Sequence, residues 1–203
     1  MQSLSATRQA IGESSFSSQY QQNPIPLGGN IVKFDWLKYY EPGEQPAKFP
    51  TIIQSWDTAN KSGELNDYSV CTTWGVIKKT YFLLDVCRKR LDYPDLKREV
   101  KRLRELYRPS KILIEDKASG TQLIQELKSE TPYAPPPGTD KIMRLNAQTA
   151  PFENGSVLLP RKAPWLADYI AELTGFPGSR HADQVDSTTQ ALLAGLLQAK
   201  CFM

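Results

Sequence analysis

From residue 51 onward the chain reads as three strands, a helix, a strand and a second helix, and that order admits few folds. Thr51–Asp57 is nearly continuous in apolar and β-branched character. Residues 68–77 and 81–87 are rich in aromatic and β-branched side chains, and only a few residues around Lys78-Lys79-Thr80 separate them. Two such runs so close in sequence predict an antiparallel hairpin. Leu96, Val100, Leu103 and Tyr107 then recur at helical spacing, with Pro94 in the first turn and Pro109 as a stop. Residues 111–116 follow as a short strand. Their three adjacent aliphatics, Ile112, Leu113 and Ile114, imply cover on both faces, as in parallel sheets. Ser119-Gly120-Thr121-Gln122 fits a capping box, with Leu123, Ile124 and Leu127 as the apolar face of the next helix. Strand, helix, strand, helix in this order implies parallel pairing by right-handed crossover. The expected class is α/β, with a mixed sheet of three antiparallel strands followed by parallel strands, flanked by helices.

The rest of the chain is read around that centre. Residues 1–50 are rich in Ser, Gln, Asn, Pro and Gly and carry little periodicity, so they read as an arm or linker, with 51–203 as the folded domain. Alternation over Ile31-Val32-Lys33-Phe34-Asp35-Trp36 predicts one edge strand. Tyr133-Ala134-Pro135-Pro136-Pro137-Gly138 reads as a loop, residues 140–152 as weakly helical, and Gly155 to Pro160 as a strand. Residues 165–173 predict a helix ended by Gly175, and Val185, Leu192, Leu193, Leu196 and Leu197 mark a final one. A chain of 203 residues with 40% hydrophobic content can build a core, and no apolar run approaches membrane-spanning length. The start lacks an apolar signal region and the three cysteines form no metal-type pair. These features predict a cytoplasmic protein with reduced thiols, Cys71 and Cys87 being packed on neighbouring strands.

Carboxylates stand at the ends of these apolar stretches. Asp57 closes the first strand, Asp116 follows Ile112-Leu113-Ile114-Glu115, and Asp183 and Asp186 open the final helix three residues apart, on one face. Carboxylates at two strand edges and a helix start can converge. Converging carboxylates repel one another unless a cation lies between them, and hard oxygen ligands suit Mg²⁺ or Mn²⁺. Glu115 alternates away from Asp116, which lies nearer the loop, so Asp116 is the expected ligand. Each acid also has a plainer reading: Asp57 as a turn cap, Asp116 as a strand end or ion-pair partner, Asp183 and Asp186 as caps favoured by the helix dipole. His181, the only histidine, precedes the last pair, and Lys117 follows Asp116; both are candidate supporting residues. A net charge of +3 proves no partner, but the run from Arg88 to Lys111 is strongly basic. Lys78, Lys79, Lys117, Lys141, Arg144 and Arg180 are the expected contacts to a nucleic-acid backbone.

Three motifs in order, Ser55-Trp56-Asp57-Thr58-Ala59, Ile114-Glu115-Asp116-Lys117-Ala118-Ser119-Gly120 and His181-Ala182-Asp183-Gln184-Val185-Asp186, resemble the nuclease half of the large terminase subunit of tailed bacteriophages. Gln19-Tyr20-Gln21-Gln22-Asn23-Pro24, followed by Gly28-Gly29, looks like the segment leading from that protein's ATPase half. The resemblance implies a ribonuclease H-like fold and a two-metal endonuclease that cuts concatemeric viral DNA during packaging. Asp57, Asp116 and Asp183 match its acidic triad, and Asp186 matches an additional ligand of some members. Ala182 stands where the family often has a second acidic residue. No Gly-x-x-x-x-Gly-Lys-Ser/Thr phosphate loop is present. The ATPase would therefore lie elsewhere, this chain being an excised domain, a truncated product or a split subunit. The small terminase subunit and the portal are the further partners implied.

The mechanism implied uses two divalent cations, Mg or Mn, about 3.5–4 Å apart on the scissile phosphate. Asp57 would bridge them, Asp116 would hold one, and Asp183, with or without Asp186, the other. Backbone contacts would make DNA affinity fall steeply with salt. Two alternatives stay open: another nuclease of the same fold, cutting RNA–DNA hybrids or four-way junctions, and an inactive prophage-derived docking module.

Overall fold

The computed structural model describes residues 30–59, 68–117, 119–127, 131–133 and 139–200. Three strands form its centre: β2 (Thr51–Asp57), β3 (Ser69–Ile77) and β4 (Thr80–Lys89), paired antiparallel in sequence order. Lys78 and Lys79 make the β3–β4 turn with φ of 49° and 70°. Positive φ at both central residues matches the twist of the flanking strands, and here two lysines, not Asn-Gly, adopt it.

Helix α1 (Tyr93–Tyr107) begins where the Asp92 side chain accepts from the Asp95 amide at 3.0 Å and ends at Arg108 in the left-handed region. It leads to β5 (Lys111–Glu115), which pairs parallel with β2; α2 (Ser119–Leu127) then crosses to β6 (Thr131–Tyr133), parallel to β5. Short helices α3 (Lys141–Asn146) and α4 (Thr149–Glu153) precede β7 (Val157–Pro160), which pairs parallel with β4. Helices α5 (Leu166–Gly175) and α6 (Asp183–Lys200) complete the domain. With β1 (Lys38–Tyr40) on β7, the seven-stranded order is β1-β7-β4-β3-β2-β5-β6. The mixed α/β class expected from sequence, a sheet with helices on both faces, is the one observed.

The sheet carries a core on each face. On one, Trp56, Cys71, Ile112, Ile114 and Leu123 meet Leu96, Val100 and Leu103 of α1. On the other, Ile53, Val70, Trp74, Leu83 and Leu113 pack under α5 and α6. Helix α6 lies close to the strands because its inner residues are small. A Cβ on Gly195 would come within 2.4 Å of the Tyr81 ring. Ser187 fixes the helix in register: its hydroxyl donates to the Ser55 carbonyl at 2.7 Å and accepts from the Thr72 amide at 3.1 Å. These bonds satisfy polar groups that would otherwise be costly to bury under a helix.

Four local expectations change. The edge strand is at Lys38–Tyr40, because residues 34–36 form a 3-10 turn instead. Val32, Leu37 and Tyr40 of the segment read as an arm are buried in the core. Residues 131–133 add a strand that no alternation announced. Ser119 does not form a capping box; its hydroxyl donates to the Ala59 carbonyl at 3.0 Å and ties α2 to the end of β2. Cys71 and Cys87 are register partners, buried and reduced, whereas Cys201 and residues 134–138 lie outside the described residues. No helix among the described residues is long and apolar enough to cross a membrane.

Candidate metal centre

Strand alternation decides which acids meet. Ile53 and Leu113 face α6, while Trp56 and Ile114 face α1. Asp57 is an even number of residues from Ile53, so it faces α6 as well. Trp56 pairs with Ile114 in the parallel β2–β5 register, which sets Glu115 beside Asp57 on the α6 face. Asp116 therefore falls on the other side. It is exposed, and its Oδ1 accepts from the Thr121 hydroxyl at 2.8 Å. The expectation that Asp116 joins Asp57 is thus corrected to Glu115. Glu115 and Asp116 do point apart, but Asp57 lies on the side of Glu115. The turn after β5 is tight: a Cβ on Gly120 would come within 2.1 Å of the Glu115 carbonyl oxygen. This is a place where only glycine fits.

From above, α6 brings Asp183 and Asp186. Glu172 of α5, itself buried, anchors the start of this helix by accepting from the Gln184 amide and side chain, each at 2.7 Å. A carboxylate at a helix N-terminus satisfies free amides and meets the positive end of the dipole. Glu172 carries no motif in the sequence. A single acid in the amphipathic run of α5 gives no local sign that it caps a different helix.

The electrostatics follow from this crowding. Asp57 retains partial exposure, but protein surrounds it closely. Burial first, then the charges of Asp186, Glu115 and Asp183, hold its carboxyl well above the usual carboxylate range, and Lys141 only partly offsets them. Asp183 is also raised, by burial and then by Glu172, against the pull of Lys141, His181 and Arg88. Lys141 is raised. Burial opposes its charge, but the bond to Asp186 and the charges of Asp186, Asp57 and Asp183 outweigh that. One ammonium thus serves three carboxylates.

Asp186 is bound on both oxygens. Arg144 Nη2 donates to Oδ1 at 2.7 Å, and Lys141 pairs with Oδ2. Lys141 and Arg144, expected on DNA, are here engaged by this buried acid. Lys78 and Lys79 are eight and nine residues along the β3–β4 hairpin from Val70, the partner of Asp57, hence about 25 Å away at the opposite end of these strands. Lys117 and Arg180 are exposed. His181 lies edge-on to the Tyr68 ring, with centroids 5.6 Å apart, and its charge reaches Asp183.

In chemical type the donors suit a hard divalent cation, since every acid whose charge reaches Asp57 offers carboxylate oxygen, but they are not drawn together around one. In the arrangement described, Lys141 supplies that positive charge. Among the described residues, no three His, Cys, Asp or Glu side chains are grouped closely enough to hold one ion.

The fold is shared with solved structures. Three solved structures illustrate it, each at an identity that shows the fold alone. The large terminase nuclease from thermophilic phage G20c with bound cobalt is 17% identical with a TM-score of 0.63, over 83% of this chain and 98% of that one. The large terminase nuclease domain of Thermus phage P74-26 is 14% identical at a TM-score of 0.57, over 77% and 90%. The large terminase of another thermophilic bacteriophage is 12% identical at a TM-score of 0.59. There 94% of this chain is covered but 52% of the longer relative. No curated protein matches the chain. The family model described as the terminase RNase H-like domain matches residues 54–194, and the chain belongs to that family.

Proposed function

We propose that this chain is a divalent-metal-dependent endodeoxyribonuclease that cuts concatemeric double-stranded viral DNA during genome packaging. The observation that carries this reading is the field of like charge that Glu115, Asp183 and Asp186, from a neighbouring strand end and a helix start, place on Asp57. We assign Asp57, Glu115 and Asp183 as the metal-holding acids. Asp186 is assigned as the residue that positions Lys141 and Arg144, and a ligand only if those partners release it.

The related G20c nuclease has been solved with cobalt, with zinc and with magnesium. Those structures support a divalent cofactor here, and two Mg or Mn ions are the proposed complement. When bound, such ions polarise a phosphodiester and make water nucleophilic at neutral pH. The protein's own part is to hold acids in place before substrate arrives. Ser187 and Glu172 fix α6, the Gly120 turn fixes Glu115, and Lys141 limits repulsion among the acids while no metal is present. The longer large terminase from the other thermophilic bacteriophage was also solved in complex with ATP-γ-S. This supports an ATPase region as the proposed partner, with the small subunit and the portal completing the motor in the host cytoplasm.

Plasmid cleavage in Mn²⁺ tests the reading, with melting temperature followed in parallel as Mn²⁺ is added. Wild type is expected to nick and linearise DNA and to gain stability with metal; Asp57→Asn is expected to do neither. Equal cleavage by the two proteins overturns it.

A further inference from the structure

Along the sheet from the acids lies a cluster of opposite sign. Val70 pairs with Asp57 on one side and with Arg88 on the other. Register partners face the same way, so Arg88 stands in one row with Asp57, two strands or about 10 Å away. Its guanidinium lies over the Tyr68 ring, 3.8 Å from the centroid, and Arg90 lies over the same ring at 4.5 Å. His181 closes a third side edge-on. Two like charges thus share one aromatic ring, beside an imidazole.

Cation–π contact holds these charges in place without neutralising them. No carboxylate forms an ion pair or hydrogen bond with Arg88 or Arg90 among the described residues. Arg88 Nε is buried and has no hydrogen-bond partner among the described residues. Asp168, Asp85 and Glu99 line a cavity of about 460 Å³ with Arg88, yet Glu99 is already held by Lys89 and Arg102. The basic helix α1 differs: Lys97 pairs with Glu126, Arg98 with Asp95 and Arg102 with Glu99. Three of its positive charges have carboxylate partners; among the described residues Arg88 and Arg90 have no such ion pair, although the charge of Arg88 reaches Asp183.

We infer that Tyr68, Arg88, Arg90 and His181 form a phosphate subsite that holds the backbone of duplex DNA beside the acidic centre. The inference rests on the nuclease reading above for the identity of its ligand. Planar guanidinium groups offer paired donors to phosphate oxygens, and a pair fixed on a ring loses little freedom on binding. The subsite would set the position of the strand without reading its sequence.

The test is DNA binding without cleavage. Anisotropy of a fluorescein-labelled duplex is titrated with protein in EDTA over a range of NaCl concentrations, for wild type, Arg88→Gln/Arg90→Gln and Lys97→Gln/Arg98→Gln. Each lost phosphate contact flattens the plot of log affinity against log salt by about 0.9. A slope flatter by about two is expected for the first variant and an unchanged slope for the second. A metal-induced rise in melting temperature should persist in all three, because no acid is replaced, although the loss of the Arg88 charge is felt at Asp183. Should the glutamine variant fold poorly, Arg88→Lys/Arg90→Lys is expected to keep most of the slope, since charge is retained, and Tyr68→Ala to weaken binding. An unchanged slope in Arg88→Gln/Arg90→Gln overturns the subsite while leaving the nuclease reading intact. Loss of the nuclease reading would show instead as metal-dependent cleavage that survives Asp57→Asn, with the salt slopes unaffected.

Discussion

Glu99 and Asp57 are both acids enclosed by protein, on opposite faces of one sheet, and their surroundings drive them in opposite directions. Glu99 on α1 accepts from Arg102 and Lys89, at 2.7 Å each, and from the Cys87 thiol at 3.3 Å. Those partners outweigh burial, and its carboxyl falls from 4.5 to about 2. Asp57 has burial and three further acids against one lysine, and its carboxyl rises. Enclosure alone therefore does not mark a functional acid. An acid whose partners lie within the chain reads as structural, and one crowded by its own kind is the candidate for holding a cation under the function proposed above. The basic groups differ in a similar way: Lys97, Arg98 and Arg102 of α1 are ion-paired, whereas among the described residues Arg88 and Arg90 on Tyr68 have no ion pair.

The largest expected effect separates two adjacent residues. Glu115→Gln should lower Mn²⁺-dependent cleavage by at least about 100-fold, the scale of losing an interaction that stabilises the transition state. Asp116→Asn should change it by less than about threefold and cost under about 1 kcal/mol of stability, since it loses one exposed bond to Thr121. Cleavage assays of the pair decide it; the reverse order would return Asp116 to the site.

A smaller effect tests the satisfied acid. Glu99→Gln should destabilise the fold by about 1–2 kcal/mol at neutral pH without altering metal binding. Glu99 has a lowered folded-state value, so its contribution is present above 4.5 and is lost as pH falls through about 2. The gap in denaturant midpoint between wild type and variant should close over that window.

The smallest effect is the reverse in sign. In EDTA, Asp57→Asn should raise stability at pH 7 by about 1 kcal/mol, since it removes a charge held among like charges. Wild-type Asp57 has a raised folded-state value, so its stability is fully present below 3.8 and declines as pH rises through the folded value. The advantage of the variant should therefore grow from acid toward neutral pH. A variant less stable at every pH would mean that Asp57 is a structural acid like Glu99.

Much of this is legible from the chain. The order of strands and helices and the hairpin at Lys78-Lys79 follow from periodicity and turn spacing. So do the arrival of Asp57 at a strand end and of Asp183 and Asp186 at a helix start. Glu115 escapes a reading of the sequence because alternation says which neighbours point apart but not which side a distant strand end faces; pairing Trp56 with Ile114 supplies that. Lys141 and Arg144 look like free cations in the sequence because nothing local connects them to Asp186, more than forty residues later. The pair on Tyr68 is hidden in a run of basic residues whose members look alike until each finds, or lacks, a partner.

By itself, then, the sequence determined the central strands β2 to β5, the helices that follow them and the acids at their ends, because those are short-range consequences of side-chain shape, spacing and backbone freedom; the short edge strands β1 and β6 were not among them. Which acids meet, which cations they consume and which charges remain open was decided only in three dimensions. Coulomb energy and desolvation depend on distance and burial, and neither is a property of neighbours along the chain.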